Sequence, residues 1–268
     1  MKIRDAVVSL SAKIHNTTHR YTGSTFGVIV VNEFPKSGGT WLAKVLASAL
    51  ELQFRDGIVG VPVSPCIVRT HWKPDRLSKN TIYIVRDGRD VMVSLFHHRC
   101  RNLLYTPYLR DLYREKLGED LDVREIKSQL GSFIELEHHH RRYGVQVSWN
   151  DFTDKAFGRA EHDDGSVVVK YEDLVRVPES TVHEIIGALK WKEIPHERLK
   201  HIIGFHDKKW SQTIDGSTGE KGTFVRKGVV GDWRNVFTSE SGEVFSQYGN
   251  KSLLKFGYES DEKWFEKI

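Results

Sequence analysis

The feature that most constrains this chain is a change of hydrophobic period within about twenty residues. The β-branched run VIVV at 28–31 gives way to FPKSGGT at 34–40, and then to WLAKVLASALEL, where Leu42, Val45, Leu46 and Ala49 recur at helical spacing. A strand-like run, small turn residues and then a period near 3.6 predict strand, loop and helix, the helix over about residues 40–50. Such a loop suits a phosphate. The paired Gly38 and Gly39 let backbone N–H groups approach an anion closely, the helix turns its positive dipole end toward it, and Lys36 adds a full charge. In the GxxxxGK[ST] loop of NTPases the lysine closes the loop, whereas here it opens it. The order of residues therefore argues against ordinary NTP chemistry.

With 268 residues the chain can bury a sizeable core, and a single α/β domain over 1–268 is expected. Charged residues at 28% beside hydrophobic ones at 39% describe an ordinary globular protein and exclude a largely disordered one. The net charge of +4 suits an anionic cofactor or acidic acceptor, and with no lysine-arginine tract it gives no reason to expect nucleic acid. Two cysteines, Cys66 and Cys100, make no disulfide framework, so a reducing compartment is expected. The N-terminal stretch has no signal-like apolar core, and no segment nears the roughly 20 apolar residues of a spanning helix. A cytoplasmic protein without a membrane segment follows. Residues 1–25 read as a peripheral helix on Val7, Leu10 and Ile14, with no assigned chemistry.

His71 stands just beyond the apolar run CIVRT. A polar residue there lies at the carboxyl edge of a parallel sheet, where open α/β sheets bind ligands. Imidazole exchanges its proton near neutral pH, which makes His71 the best base candidate among thirteen histidines. The clusters His97-His98 and His138-His139-His140 lack the spacing that brings ligands to one tetrahedral centre, and no metal is expected.

The loop PKSGGTW resembles the 5′-phosphosulfate loop of sulfotransferases that use 3′-phosphoadenosine-5′-phosphosulfate (PAPS), whose usual form is PKSGTTW. That resemblance implies a central parallel sheet flanked by helices, akin to P-loop kinases, with Lys36, Ser37, Gly38, Gly39 and Thr40 at the 5′-phosphate and Trp41 on the adenine. It also implies that His71, matching the family's KTH element with Arg69 in place of Lys, deprotonates the acceptor. In the second strand-turn-helix, TIYIVRDGRDVMVSLFHHR, Thr81 to Val85 read as strand, Asp87-Gly88 as turn and Asp90 onward as helix, with Val91, Leu95 and His98 on one face. It resembles the family's 3′-phosphate segment, which assigns Arg86 and Ser94 to that phosphate. An arginine fork with a hydroxyl suits a dianion. The alternative is a surface cluster of Asp87, Arg89 and Asp90. RKGVVGDW at 226–233 is close to the family's RKGxxGDWK and implies that Arg226, Lys227 and Gly228 complete the 3′-phosphate site.

Tyr171 matches the end of the family's YED strand near the cofactor, within an expected strand SVVVKYEDL. Phe205 resembles the aromatic that faces Trp41 across adenine, although Ile203 and Gly204 replace the usual residues before it. Further helices are expected over VQVSWNDFTDKAF, from Pro178, and from His196 to Phe205. Residues 101–145 mix aromatics with charges, and fit either acceptor-binding loops or an amphipathic helix packed on the core. The dimer element KxxxTVxxxE is partly kept, with Arg234, Thr238 and Glu243 present and Ser239 replacing Val, so the oligomeric state stays open. The reading is sulfuryl transfer from PAPS to a hydroxyl, or less readily an amine, of a small molecule or glycan, leaving 3′-phosphoadenosine-5′-phosphate (PAP) and needing no metal. Its alternatives are a nucleotide kinase or NTPase with a divergent loop, and a non-catalytic phosphoadenosine-binding module.

Overall fold

The computed structural model describes residues 26–57, 64–74, 80–103, 107–139, 147–162, 165–214 and 229–268. The expected helix in 1–25 lies outside them, as do Arg226, Lys227 and Gly228 and the stretches 104–106 and 140–146 of the region expected to bind the acceptor. The chain divides into two compact units, residues 1–85 with 155–208, and residues 86–154 with 209–268.

The first unit is built on five strands: β1 (Val28–Glu33), β2 (Gln53–Asp56), β3 (Cys66–Thr70), β4 (Thr81–Val85) and β5 (Val167–Lys170). They pair in parallel in the order β2-β3-β1-β4-β5. Every residue of β1 and β4 is buried, which is why both read as continuous rather than alternating apolar runs. Helix α1 (Gly39–Leu50) lays Leu42, Val45, Leu46 and Ala49 on the sheet, as its period predicts. Val182, Ile185 and Ile186 of a helix at Pro178–Ala188 and Leu199 of one at His196–Ile214 complete that core.

Two boundaries differ from expectation. The fifth strand ends at Lys170, and Tyr171–Arg176 is helical rather than extended. Glu172 and Asp173 in the first turn favour a helix start there, since their charge meets the positive end of the helix dipole. The helix expected over VQVSWNDFTDKAF begins only at Trp149 and runs to His162. Ser148 stays outside it, and its Oγ accepts a hydrogen bond from Asp151 N–H at 3.1 Å, an N-cap arrangement. The helix from His196 continues past Phe205 to Ile214.

In the second unit, α2 (Gly88–Leu103) leads into a mostly helical region, with helices at Pro107–Leu117 and Ile126–His139. The latter buries Leu130, Phe133, Ile134 and Leu136 and packs on α3 (Ser239–Lys255). His138 stacks on Tyr248 and His139 meets the same ring edge-on. Gly88 opens α2 rather than forming a free turn. A Cβ there would lie 2.7 Å from both Phe245 and Trp149, so the close approach requires glycine.

Asp87, Arg89 and Asp90 are all buried, which overturns the surface-cluster alternative. The Arg89 guanidinium forms a two-point pair with Asp87, Nε to Oδ1 at 3.0 Å and Nη2 to Oδ2 at 2.7 Å, and a further pair with Glu259. It also lies 3.7 Å from the Trp233 ring centroid and 4.6 Å from that of Trp264. This arrangement locks the start of α2 onto the chain near 233 and 259–264. Replacing Arg89 with Met strands the Asp87 carboxylate in the interior. Arg89→Met is expected to cost about 3–5 kcal/mol, measured by urea unfolding followed by tryptophan fluorescence.

Candidate functional site

The loop that leaves β1 is held in an unusual backbone path. Lys36 has φ 75° and Gly38 φ 91°, both left-handed. Gly38 is the N-cap of α1, with no side-chain cap and no acid of the first turn on the free amides. At Gly38 only glycine fits. A Cβ there would stand 2.6 Å from the Tyr171 ring, so Tyr171, the first residue after β5, packs directly against the loop. Ser37 is fully buried, and its Oγ has no hydrogen-bond partner among the described residues. An orphaned buried hydroxyl is costly unless a ligand satisfies it. Thr40 and Trp41 follow on the first turn of α1, both half-buried.

Trp41 packs against the sheet core and donates from Nε1 to Asp207 Oδ1 at 2.9 Å. Asp207 sits two residues beyond Phe205 on the same helix, and the Phe205 side chain is 57% exposed. The two aromatic residues expected to face adenine thus come from elements that touch. Trp41 meets the core as well.

His71 follows β3, the neighbour of β1, at the same carboxyl edge. What holds it there was not read from the sequence. Asn32, fully buried, accepts from Thr70 Oγ1 at 2.9 Å and Trp72 N–H at 2.8 Å, and donates to Trp72 O at 3.0 Å. It thereby clamps the residues on both sides of His71. The imidazole Nδ1 lies 3.0 Å from Glu33 O, and Nε2 lies 2.8 Å from Arg69 Nη1. Arg69 also bonds Glu33 Oε1 at 3.1 Å and Asp56 Oδ1 at 2.8 Å. Burial opposes its charge, but the two carboxylates prevail and hold it protonated more firmly than an ordinary arginine. Glu33 in turn takes the Gly39 N–H on Oε2 at 2.6 Å. The polar pair NE closing an otherwise apolar strand was the available signal, since a buried polar group must find a partner.

The second set of residues belongs to the other unit. Arg86 is buried, and its Nη2 donates to Val229 O at 3.2 Å. Trp149 Nε1 fixes the Arg86 carbonyl at 3.1 Å. Ser94 is half-buried, two turns along α2. Asp90 was expected only to start the helix. Its carboxylate accepts from Gly231 N–H at 2.7 Å and Trp233 N–H at 2.9 Å, tying the end of the RKGVVGDW segment to the start of α2 beside Arg86. The tether determines where that segment leaves α2.

The model of the sulfotransferase domain matches residues 61–257, more than half of the chain. The chain belongs to the sulfotransferase domain family. Mouse Sulfotransferase 1B1 is 27% identical to this sulfotransferase, with 86% of this chain and 84% of the relative covered. Human Sulfotransferase 2B1 is 24% identical, covering 93% of this chain and 78% of the relative. In fold, it is similar to mouse sulfotransferase SULT7A1 complexed with PAP, at 18% identity and a TM-score of 0.62 over 95% of this chain and 94% of that one. A retinol dehydratase in complex with androsterone and inactive cofactor PAP gives 0.59 at 18% identity, over 85% and 80% of the two chains. The matched family span begins after the 34–41 loop. Among the described residues, no helix is long and apolar enough to cross a membrane.

Burial, the largest influence, pushes the Asp90 carboxyl above the usual carboxylate range, against the opposing pull of Arg86 and the two amides. The folded protein therefore holds this proton to higher pH than the unfolded chain does. Stability from this group is fully present below the ordinary carboxylate value and declines as pH rises through the raised one. Asp90→Asn removes that slope, so the wild type should show its largest stability margin over Asp90→Asn at the acid end of an unfolding series. Asp90→Ala leaves two buried amides without acceptors and is expected to cost about 2–4 kcal/mol.

Proposed function

We propose that this sulfotransferase moves the sulfuryl group of PAPS to a hydroxyl of a small-molecule or glycan acceptor, an amine being the less favoured nucleophile. The observation that carries the reading is a direct link between base and loop. His71 leaves β3 and the PKSGGT loop leaves β1 at one sheet edge, and the Nδ1 hydrogen of His71 rests on the carbonyl of Glu33, the last residue of β1. When bound, PAPS supplies an activated sulfuryl group on its 5′-phosphate. Lys36, the orphaned Ser37 hydroxyl, Gly38, Gly39 and Thr40 would hold that phosphate. Arg86, Ser94, Arg226, Lys227 and Gly228 would hold the 3′-phosphate, and Trp41, Phe205 and Tyr171 the adenosine. The orphaned Ser37 hydroxyl fits such a ligand.

His71 Nε2 would take the acceptor proton, and Lys36 would balance charge on the departing bridging oxygen, so positioning and electrostatics carry the catalysis. Both cysteines are free, and burial pushes the Cys100 thiol up to about 12, which suits a thiol kept reduced in the cytoplasm. The whole chain would act as one catalytic domain.

Two separate phosphate elements predict a preference for 3′-phosphorylated nucleotides. PAP should bind much more tightly than AMP or ADP in calorimetry, and Arg86→Ala or Arg226→Ala should remove most of that preference. Equal affinities with and without the 3′-phosphate, or ATP affinity that depends on magnesium, would favour the kinase reading instead.

The base and the lysine are separated by acceptor acidity. His71→Ala should lower turnover by about two to four orders of magnitude with cofactor binding nearly intact. Lys36→Ala should lower turnover and also weaken binding of the 5′-phosphate end. A phenol with electron-withdrawing groups ionises without help, so it should rescue the His71 variant more than the Lys36 variant. Equal losses across a phenol series of falling pKa would remove His71 from the role.

A further inference from the structure

Glu33 and Gly39 set this loop apart from the usual PKSGTTW form. A Cβ built at Gly39 would lie 2.5 Å from Glu33 Cδ and 2.7 Å from Oε1, so threonine does not fit at position 39 while Glu33 keeps its place. Gly39 has no positive φ to explain the glycine. The carboxylate beside it does.

Glu33 is 3% exposed and makes three hydrogen bonds, each to a part of the proposed transfer site. Oε2 accepts from the Gly39 amide at 2.6 Å, Oε1 from Arg69 Nη1 at 3.1 Å, and the main-chain oxygen faces His71 Nδ1 at 3.0 Å. Arg69 Nη1 also stands 2.8 Å from His71 Nε2. A guanidinium only donates and a carbonyl only accepts. Both contacts therefore assign the same neutral tautomer, with hydrogen on Nδ1 and the Nε2 lone pair accepting from Arg69, so an acceptor hydroxyl must displace the guanidinium before Nε2 can take its proton. The charged groups around the imidazole are Arg69 from β3, Glu33 from β1 and, through Arg69, Asp56 from β2.

We infer that Glu33 is a positioning residue for sulfuryl transfer: it seats the loop at Gly39 and, through Arg69, fixes the tautomer and orientation in which His71 meets the acceptor. The inference rests on the reading of His71 as base.

The test follows the His71 ring nitrogens by ¹⁵N NMR in nucleotide-free protein. The wild type should show the Nδ1–H tautomer. In Glu33→Gln, in Arg69→Met and in the double variant that signature should weaken, and kcat should fall by about tenfold with acceptor KM held within about threefold. Arg69→Met leaves a buried carboxylate and is prone to unfold; Glu33→Gln and the double variant then carry the comparison, since neither holds an unpaired charge at position 33. In the loop, Gly39→Thr alone should weaken PAP binding by about tenfold or more, and Glu33→Thr with Gly39→Thr should restore it. A ring signature and a turnover that are the same in every variant would overturn the inference, making Glu33 a purely structural acid. Signatures that change as stated beside a His71→Ala variant of full turnover would instead refute the base assignment, and with it the catalytic meaning of Glu33.

Discussion

A strand with every residue buried cannot leave polar side chains unsatisfied, and β1 ends in two of them, Asn32 and Glu33. Their partners are what fixes the edge of the sheet. Asn32 uses its amide on Thr70 and Trp72, while Glu33 bonds the loop at Gly39 and the guanidinium of Arg69. One central strand thereby positions both the loop that follows it and the exit of its neighbour β3. An unpaired buried carboxylate costs several kcal/mol, so breaking one of the Glu33 bonds costs far more than breaking a surface contact of the same length. The edge is rigid because breaking any of them exposes that cost.

The second unit solves a comparable problem with arginines. The start of α2 carries Arg86, Arg89 and Asp90 in the interior, and each is matched by a group distant in sequence. Arg89 is paired with Asp87 and Glu259 and lies against the indoles of Trp233 and Trp264. With that charge locked, Asp90 accepts from the amides of Gly231 and Trp233, and Arg86 donates to the carbonyl of Val229. Geometry near Arg86 therefore depends on a chain segment more than 140 residues away. Asp90 holds that segment at Gly231 and Trp233.

The parts of this design that were legible in the sequence are those carried by local period. VIVV, FPKSGGT and the spacing of Leu42, Val45 and Leu46 specify strand, loop and helix, because each signal lies within a dozen residues. The strand ahead of Tyr171 was extended too far, since VVVK and YED run together in β-propensity, and the helix-starting acids at 172 and 173 are visible only as an afterthought of that run. Glu33, Asn32 and Asp90 were missed for a different reason. Their partners lie 6 to 143 residues off, and nothing in the neighbouring letters says whether an acid at the end of an element faces water or a buried amide.

The Glu33–Gly39 contact shows how a departure from a familiar motif becomes interpretable once its neighbour is known. Taken alone, glycine for threonine at position 39 loosens a loop, for glycine has more unfolded-state entropy to lose and no side chain to offer a ligand. Here the space of that side chain is filled by a carboxylate from the preceding strand. The exchange is not neutral in charge. A hydroxyl beside the loop adds a donor for an anion, whereas a carboxylate opposes one, and the opposition is tolerable only because Arg69 stands 3.1 Å away. That makes Arg69 a requirement of Glu33, and its contact with His71 then follows from where Glu33 needs it. Loop composition, the arginine before His71 and the histidine tautomer are in this sense consequences of one buried acid.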